Sequence, residues 1–147
     1  MSFASRNFQV VDGPAGREVA MSALVSSADA RALAAALGWR RQQQFLAPAM
    51  ESADEVLAMR SVVALLDVLE VVADGPGSPI TLNRDQTALL AEGAQLYIAD
   101  RDADDGYRPP AERERLGRLR TLGDQLFDAV TDFAGAVDEA RANGLVA

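Results

Sequence analysis

The chain has 147 residues, 49% of them hydrophobic and 24% charged, enough to bury one core without disulfide or metal staples and too apolar for disorder. It contains no Cys, no His and no Lys, all 14 basic residues being Arg, so thiolate nucleophiles, imidazole acid–base chemistry and Schiff bases drop out together. A formal charge of −8 with a pI near 4.5 makes an averaged field that repels nucleic acid and anionic membrane surfaces. The start, MSFASRNFQVVDG, lacks the pattern of a signal peptide, and no stretch reaches the roughly 18 to 20 apolar residues of a membrane span, so the expected address is the cytoplasm.

In chain order, Phe8, Val10 and Val11 precede Asp12-Gly13-Pro14-Ala15-Gly16, and a second apolar stretch runs from Val19 to Val25. Residues 1–25 therefore read as a short hairpin or wrapping arm, although Glu18 to Val25 also fits a helix. Ser26 with Asp29 fits a capping box, and Ala30, Leu33, Ala34 and Leu37 follow at helical spacing up to Gly38. So alanine-rich a helix should pack closely on a neighbour. Residues 39–52, WRRQQQFLAPAMES, read as a linking segment, with Pro48 opposing a continuous helix.

Ser52 and Glu55 form the next capping signature, ahead of a helix at 56–73 that is apolar in nearly every direction. Its polar exceptions Arg60, Asp67, Glu70 and Asp74 share one narrow stripe at 3.6 residues per turn, which predicts a helix central to the fold or buried in an oligomer. GPGSP at 75–79 ends it. Asn83 and Gln86 cap a third helix that carries Leu89, Leu90, Gly93, Ala94, Leu96, Tyr97 and Ile98. The last helix opens at Pro110, and Leu116, Leu119, Gly123, Leu126, Val130, Phe133, Val137 and Ala140 form a seam of alternating threes and fours along it. The fold expected is mainly α, a single helical domain over 1–147: a bundle of about four helices with breaks near 38–51, 75–82 and 102–109.

The densest run of reactive side chains, DRDADDG at 100–106, alternates aspartates as a calcium loop does. Counted from Asp100, however, Gly106 and Glu112 each fall one place late for an EF-hand. Asp100, Asp102, Asp104 and Asp105 on an exposed turn also lack the burial that would separate their pKa values for paired-carboxylate catalysis. The run reads as a connector, with no metal site and no catalytic residue. Arg113, Arg115, Arg118 and Arg120 offer donors for phosphate, but Glu112 and Glu114 at helical spacing make an ion-laced helix the simpler reading.

No phosphate loop, dinucleotide fingerprint, helix-borne metal motif or nucleophile elbow occurs. Two functional readings remain. The first is a non-enzymatic oligomerisation or protein-interaction module, a homo-oligomer with a dimer favoured, using Met59, Val63, Leu66, Leu69, Leu119, Leu126, Val130 and Phe133 as interface. The second is a small-molecule-binding helical domain, enzymatic or not, with a pocket between helices and Trp39, Arg40, Arg41, Tyr97 and Tyr107 as ligand-binding residues. Neither reading calls for a cofactor, nucleic acid or a membrane.

Overall fold

The computed structural model describes residues 3–14, 16–46, 53–104 and 106–147. Among the described residues four helices stand beside a small antiparallel sheet, so the mainly α expectation holds, with more strand than a hairpin alone. β1 (Arg6–Gly13) and β2 (Gly16–Val25) pair from Arg6↔Ala23 to Gly13↔Gly16. Gly16 has a φ of 118°, a value residues with a Cβ rarely adopt, which is why a glycine closes this two-residue loop. The strand reading of Glu18 to Val25 prevails because alternate residues Val19, Met21, Ala23 and Val25 are all buried, while Leu24 on the opposite face is exposed.

β3 (Ser78–Leu82) pairs with the other edge of β2, from Met21↔Leu82 to Val25↔Ser78, in the order β1-β2-β3. The expected break at 75–82 is therefore a turn followed by a strand. Five residues containing a proline carry little strand signal, and Pro79 is tolerated because β3 lies at a sheet edge. Ile80 and Leu82 alternate inward and are buried.

α1 (Ser27–Leu46) begins at the expected cap, where the Asp29 N–H donates to Ser26 Oγ at 3.1 Å. It does not stop at Gly38, and the segment expected as a link from Trp39 onwards is helical as far as Leu46. A glycine inside a helix costs about 1 kcal/mol, and contacts with α3 (Arg84–Asp102) hold the turns beyond it. Trp39 meets Tyr97 edge-on, and Arg40 Nη2 lies 3.2 Å from Glu92 Oε1. Pro48 and Ser52, whose roles were to end one helix and cap the next, lie outside the described residues.

α2 (Ala53–Ala73) packs on α1 and touches little else. Val62, Leu65, Leu66, Leu69 and Val72 are buried on its inner side. The carbonyl oxygen of Ala73 accepts from Ser27 Oγ at 2.7 Å and from Arg31 Nη2 at 3.2 Å, so the first turns of α1 cap the end of α2. Within the chain α2 is peripheral, so of the two expectations for this helix a place at the centre of the subunit is not borne out, which leaves burial in an oligomer as a proposal. The central one is α1, in contact with α2, α3 and α4 (Pro110–Ala142).

Both halves of the capping box at the start of α3 are present: the Gln86 N–H donates to Asn83 Oδ1 at 2.8 Å, and the Asn83 N–H to Gln86 Oε1 at 2.9 Å. A Cβ on Gly93 would stand 3.2 Å from Leu37 Cδ2, so this glycine sets the close approach of α3 to α1. α4 runs antiparallel to α3. At 1.5 Å per residue it is about 50 Å long against about 28 Å for α3, and its second half continues onto the hairpin. There Phe133 stacks edge-on against Phe8 with centroids 4.8 Å apart, Gln125 Oε1 accepts from the Phe3 N–H, and Asp132 pairs with Arg6. Leu116, Leu119, Gly123, Leu126, Phe133 and Ala140 of the predicted seam are buried, joined by Leu122 and Ala129. Among the described residues no helix is long and apolar enough to cross a membrane.

Two substitutions test this packing in urea unfolding. Leu119→Ala, at a fully buried site, should cost about 3 kcal/mol, and Asn83→Ala about 1 kcal/mol through the lost cap. A Leu119→Ala penalty below about 0.5 kcal/mol would place that side chain outside the core.

Candidate functional site

The residues expected to bind a ligand fall into two places. Trp39 and Tyr97 meet with centroids 5.9 Å apart and planes at 81°, and the Arg101 guanidinium lies 5.1 Å from the centre of the Tyr97 ring. Tyr97 is buried, and Arg40 beside it pairs with Glu92. Arg41 is half-buried on the same end of α1. Hydrogen bonding with Tyr97 and the charges of Glu112 and Asp100 hold Arg101 above the ordinary arginine pKa against the opposing effect of burial, so it stays cationic. Trp39, Arg40 and Tyr97 are thus brought together, in a cluster that joins α1 to α3. Arg101 was missed, although its position four residues after Tyr97 on a helix was the signal for a cation–π pair. Tyr107 stands apart in the elbow, 87% exposed.

The acidic elbow is occupied by arginines. Arg108 donates to the carbonyl oxygens of Arg101 and Asp104, closing the end of α3. Asp102 Oδ1 accepts from Arg120 Nη2 at 2.6 Å and lies 3.9 Å from Arg108 Nη1, while Asp104 Oδ1 accepts from the Gly106 N–H at 3.0 Å. Asp105 lies outside the described residues. Among those described, no group of three or more acidic side chains is placed to hold a metal ion. Arg118 of the basic stretch has two partners, Glu114 four residues earlier and Asp29 of α1.

The Asp29–Arg118 pair is the least solvated ionic contact. Asp29 is 5% exposed, and Arg118 Nη1 donates to its Oδ1 at 2.9 Å. That hydrogen bond, opposed by desolvation, raises the Arg118 pKa. A raised pKa adds stability that is present while both partners are charged and is lost as pH rises through arginine titration. The pair lines an open groove of about 260 Å³ with Gly117, Thr121 and Leu122. A second groove of about 270 Å³ lies at the start of α3, where Arg17, Arg84 and Arg141 face Glu18 and Asp85 over Phe133 and Val137. Its charges nearly cancel, and the capping box already engages the helix donors there, so it offers little field for an anion.

The proposed interface residues also divide by burial. Leu66, Leu69, Leu119, Leu126 and Phe133 are enclosed by the chain's own core, Met59 is nearly so, and Val63 and Val130 are half-buried. Among the described residues, the large apolar side chains that α2 leaves exposed are Val56 at 39%, Val68 at 46% and Val71 at 74%. These escaped the sequence analysis because, on a helix apolar nearly all round, periodicity alone does not say which apolar side faces inward. The chain matches no family model, no curated protein and no solved structure.

Two measurements follow. Because 35% of the Arg118 side chain is exposed, solvent screens the pair, and Arg118→Met should cost about 1–2 kcal/mol rather than the roughly 3–5 kcal/mol of a fully buried pair. Calorimetric titration of metal-free protein with calcium should give no saturable isotherm, and an amide-shift titration should agree. Micromolar one-site binding abolished by Asp102→Asn would overturn the connector reading of the elbow.

Proposed function

We propose that the chain is a non-enzymatic oligomerisation and protein-interaction module, a helical bundle that forms a homodimer through the outer face of α2. One observation carries this reading: α2 packs mainly on α1 yet presents Val68 and Val71 to solvent, with Ala64 exposed on the same side. On a helical projection these three form an apolar stripe beside the charged stripe of Arg60, Asp67, Glu70 and Asp74. An apolar strip with a charged margin suits an isologous contact, in which valines meet valines about a two-fold axis and the acids remain at the solvated rim. A stable interface buries about 800 Å² per partner, so the two valines are its anchor and neighbouring polar residues supply the remainder.

The second reading, a ligand-binding helical domain, is favoured by one detail. Arg40 Nη1 is buried beside Trp39 without a hydrogen-bond partner among the described residues. The interaction module is preferred because the same side chains already have partners within the subunit, Arg40 with Glu92 and Tyr97 with Trp39 and Arg101.

Sedimentation equilibrium across a wide concentration range tests the proposal. Val68→Glu/Val71→Glu alters side chains that are exposed in the monomer, so it should keep wild-type helical circular dichroism while raising the dimer dissociation constant at least ~100-fold, since each charge carried into an apolar interface costs more than 1 kcal/mol. Leu66→Asp should unfold the subunit instead, because Leu66 is buried within it. A wild-type chain that stays monomeric at every concentration contradicts the proposal.

A further inference from the structure

We propose that the free edge of β1 is a second self-association surface, which adds the β1 strand of another copy, antiparallel and centred on Gln9, to make a continuous six-stranded sheet. β1 pairs with β2 over Arg6–Gly13 and forms the outer strand of the sheet on that side. In a two-residue hairpin closed by Gly13↔Gly16, the odd-numbered residues of β1 direct their backbone groups to β2. Arg6, Phe8, Val10 and Asp12 then direct theirs outward. Among the described residues, none of those outward groups has a backbone partner in turns, loops or caps. Edge strands that must stay single are usually blunted by lysine, proline, a bulge or an inward-pointing charge; β1 has one such charge, Arg6 at its first residue, and it is paired with Asp132 of the same subunit. Asn7 to Val11 has no charge and no proline, and its pairing with β2 runs without a bulge.

The strand sequence selects both the partner and the register. Two copies related by a two-fold axis through Gln9 place Arg6 opposite Asp12 at both ends, Phe8 opposite Val10 and Gln9 opposite itself. Each outward-facing residue then meets another outward-facing residue, as ladder bonding requires, with about eight main-chain hydrogen bonds in all. A shift of the two-fold axis to Phe8 or Val10 removes the Arg6–Asp12 apposition and shortens or distorts the ladder. Asp12 is 96% exposed with Arg17 4.0 Å away, while Arg6 is already held by Asp132 and by the Phe3 carbonyl oxygen, so the second copy's Asp12 joins an existing ionic contact. On the helix-facing side of this edge, Phe8, Val10, Val19, Ala136, Ala140 and Leu145 line an open groove of about 260 Å³. Phe8 of the second copy, opposite Val10, arrives beside the mouth of that groove and covers apolar surface that a lone chain leaves to water.

This surface is separate from the outer face of α2. Where both are used, each chain has two different two-fold contacts and the assembly exceeds a dimer. The absence of any cysteine makes the register directly measurable. Gln9 and Asn7 are both exposed, so a single cysteine at either leaves the core intact. The Gln9 pair across the axis is of the non-hydrogen-bonded kind, with α-carbons about 4.5 Å apart, within disulfide reach, whereas Asn7 lies about 14 Å from its own mate. Under mild oxidation Gln9→Cys should cross-link into dimers at least tenfold faster than Asn7→Cys, and adding Asp12→Arg, which sets arginine opposite arginine, should slow it by a similar factor. Adding Val68→Glu/Val71→Glu should leave the cross-linking unchanged, so failure of the α2 surface is distinguished from failure of this one. Equal rates for Gln9→Cys and Asn7→Cys, or no cross-linking of Gln9→Cys, would overturn the proposal.

Discussion

The first turns of α1 hold the molecule together. Ser26 caps the helix itself, Ser27 and Arg31 both bond the last carbonyl of α2, and Asp29 takes Arg118 from α4. Side chains within six residues therefore fix where one helix ends, where a second begins and how a third crosses. Beyond those turns the helix is thin: Ala30, Ala32 and Ala36 are buried with Leu33 and Leu37, and small side chains let neighbouring axes approach closely. Leu37 packs against Gly93 of α3, where a Cβ would stand 3.2 Å from Leu37 Cδ2. Larger residues at these alanines would push three helices apart at once, because close-packed interiors do not absorb added volume cheaply.

What could be read in the sequence follows the range of the interactions. The starts of α3 and α4 were legible because Asn83 with Gln86, and Pro110 with Glu112, act within a single turn. The end of α1 was not. Its continuation through Gly38 depends on Tyr97 and Glu92, and Arg40 and Glu92 are 52 residues apart. β3 was hidden for the same reason, since five residues with a proline become a strand only when β2 is present to pair with them. The hairpin lay between these cases: the glycines announced a turn, but only the alternate burial of Val19, Met21, Ala23 and Val25 against the helices separated strand from helix.

The same limit applies to the candidate surfaces. The pattern marks 56–73 as apolar in nearly every direction, and within the subunit α2 has one main neighbour. Which residues lie outside the core is not legible from the pattern: Leu66, Leu69, Leu119 and Leu126 are buried within the subunit, while Val68 and Val71 are exposed. Trp39 and Tyr97 were singled out one by one for their aromatic character. Their contact, with Arg101 above the tyrosine, turns two candidate ligand contacts into the joint between α1 and α3.

A helix held by one neighbour opens more readily than one held by three, and a partner that covers its outer face should slow that opening. Amide hydrogen exchange measured at low and high protein concentration therefore bears most directly on self-association. The account predicts that amides of residues 62–73 exchange more slowly as concentration rises, while those of residues 116–126, already enclosed by the subunit, do not change. Exchange through 62–73 that is the same at every concentration would contradict it.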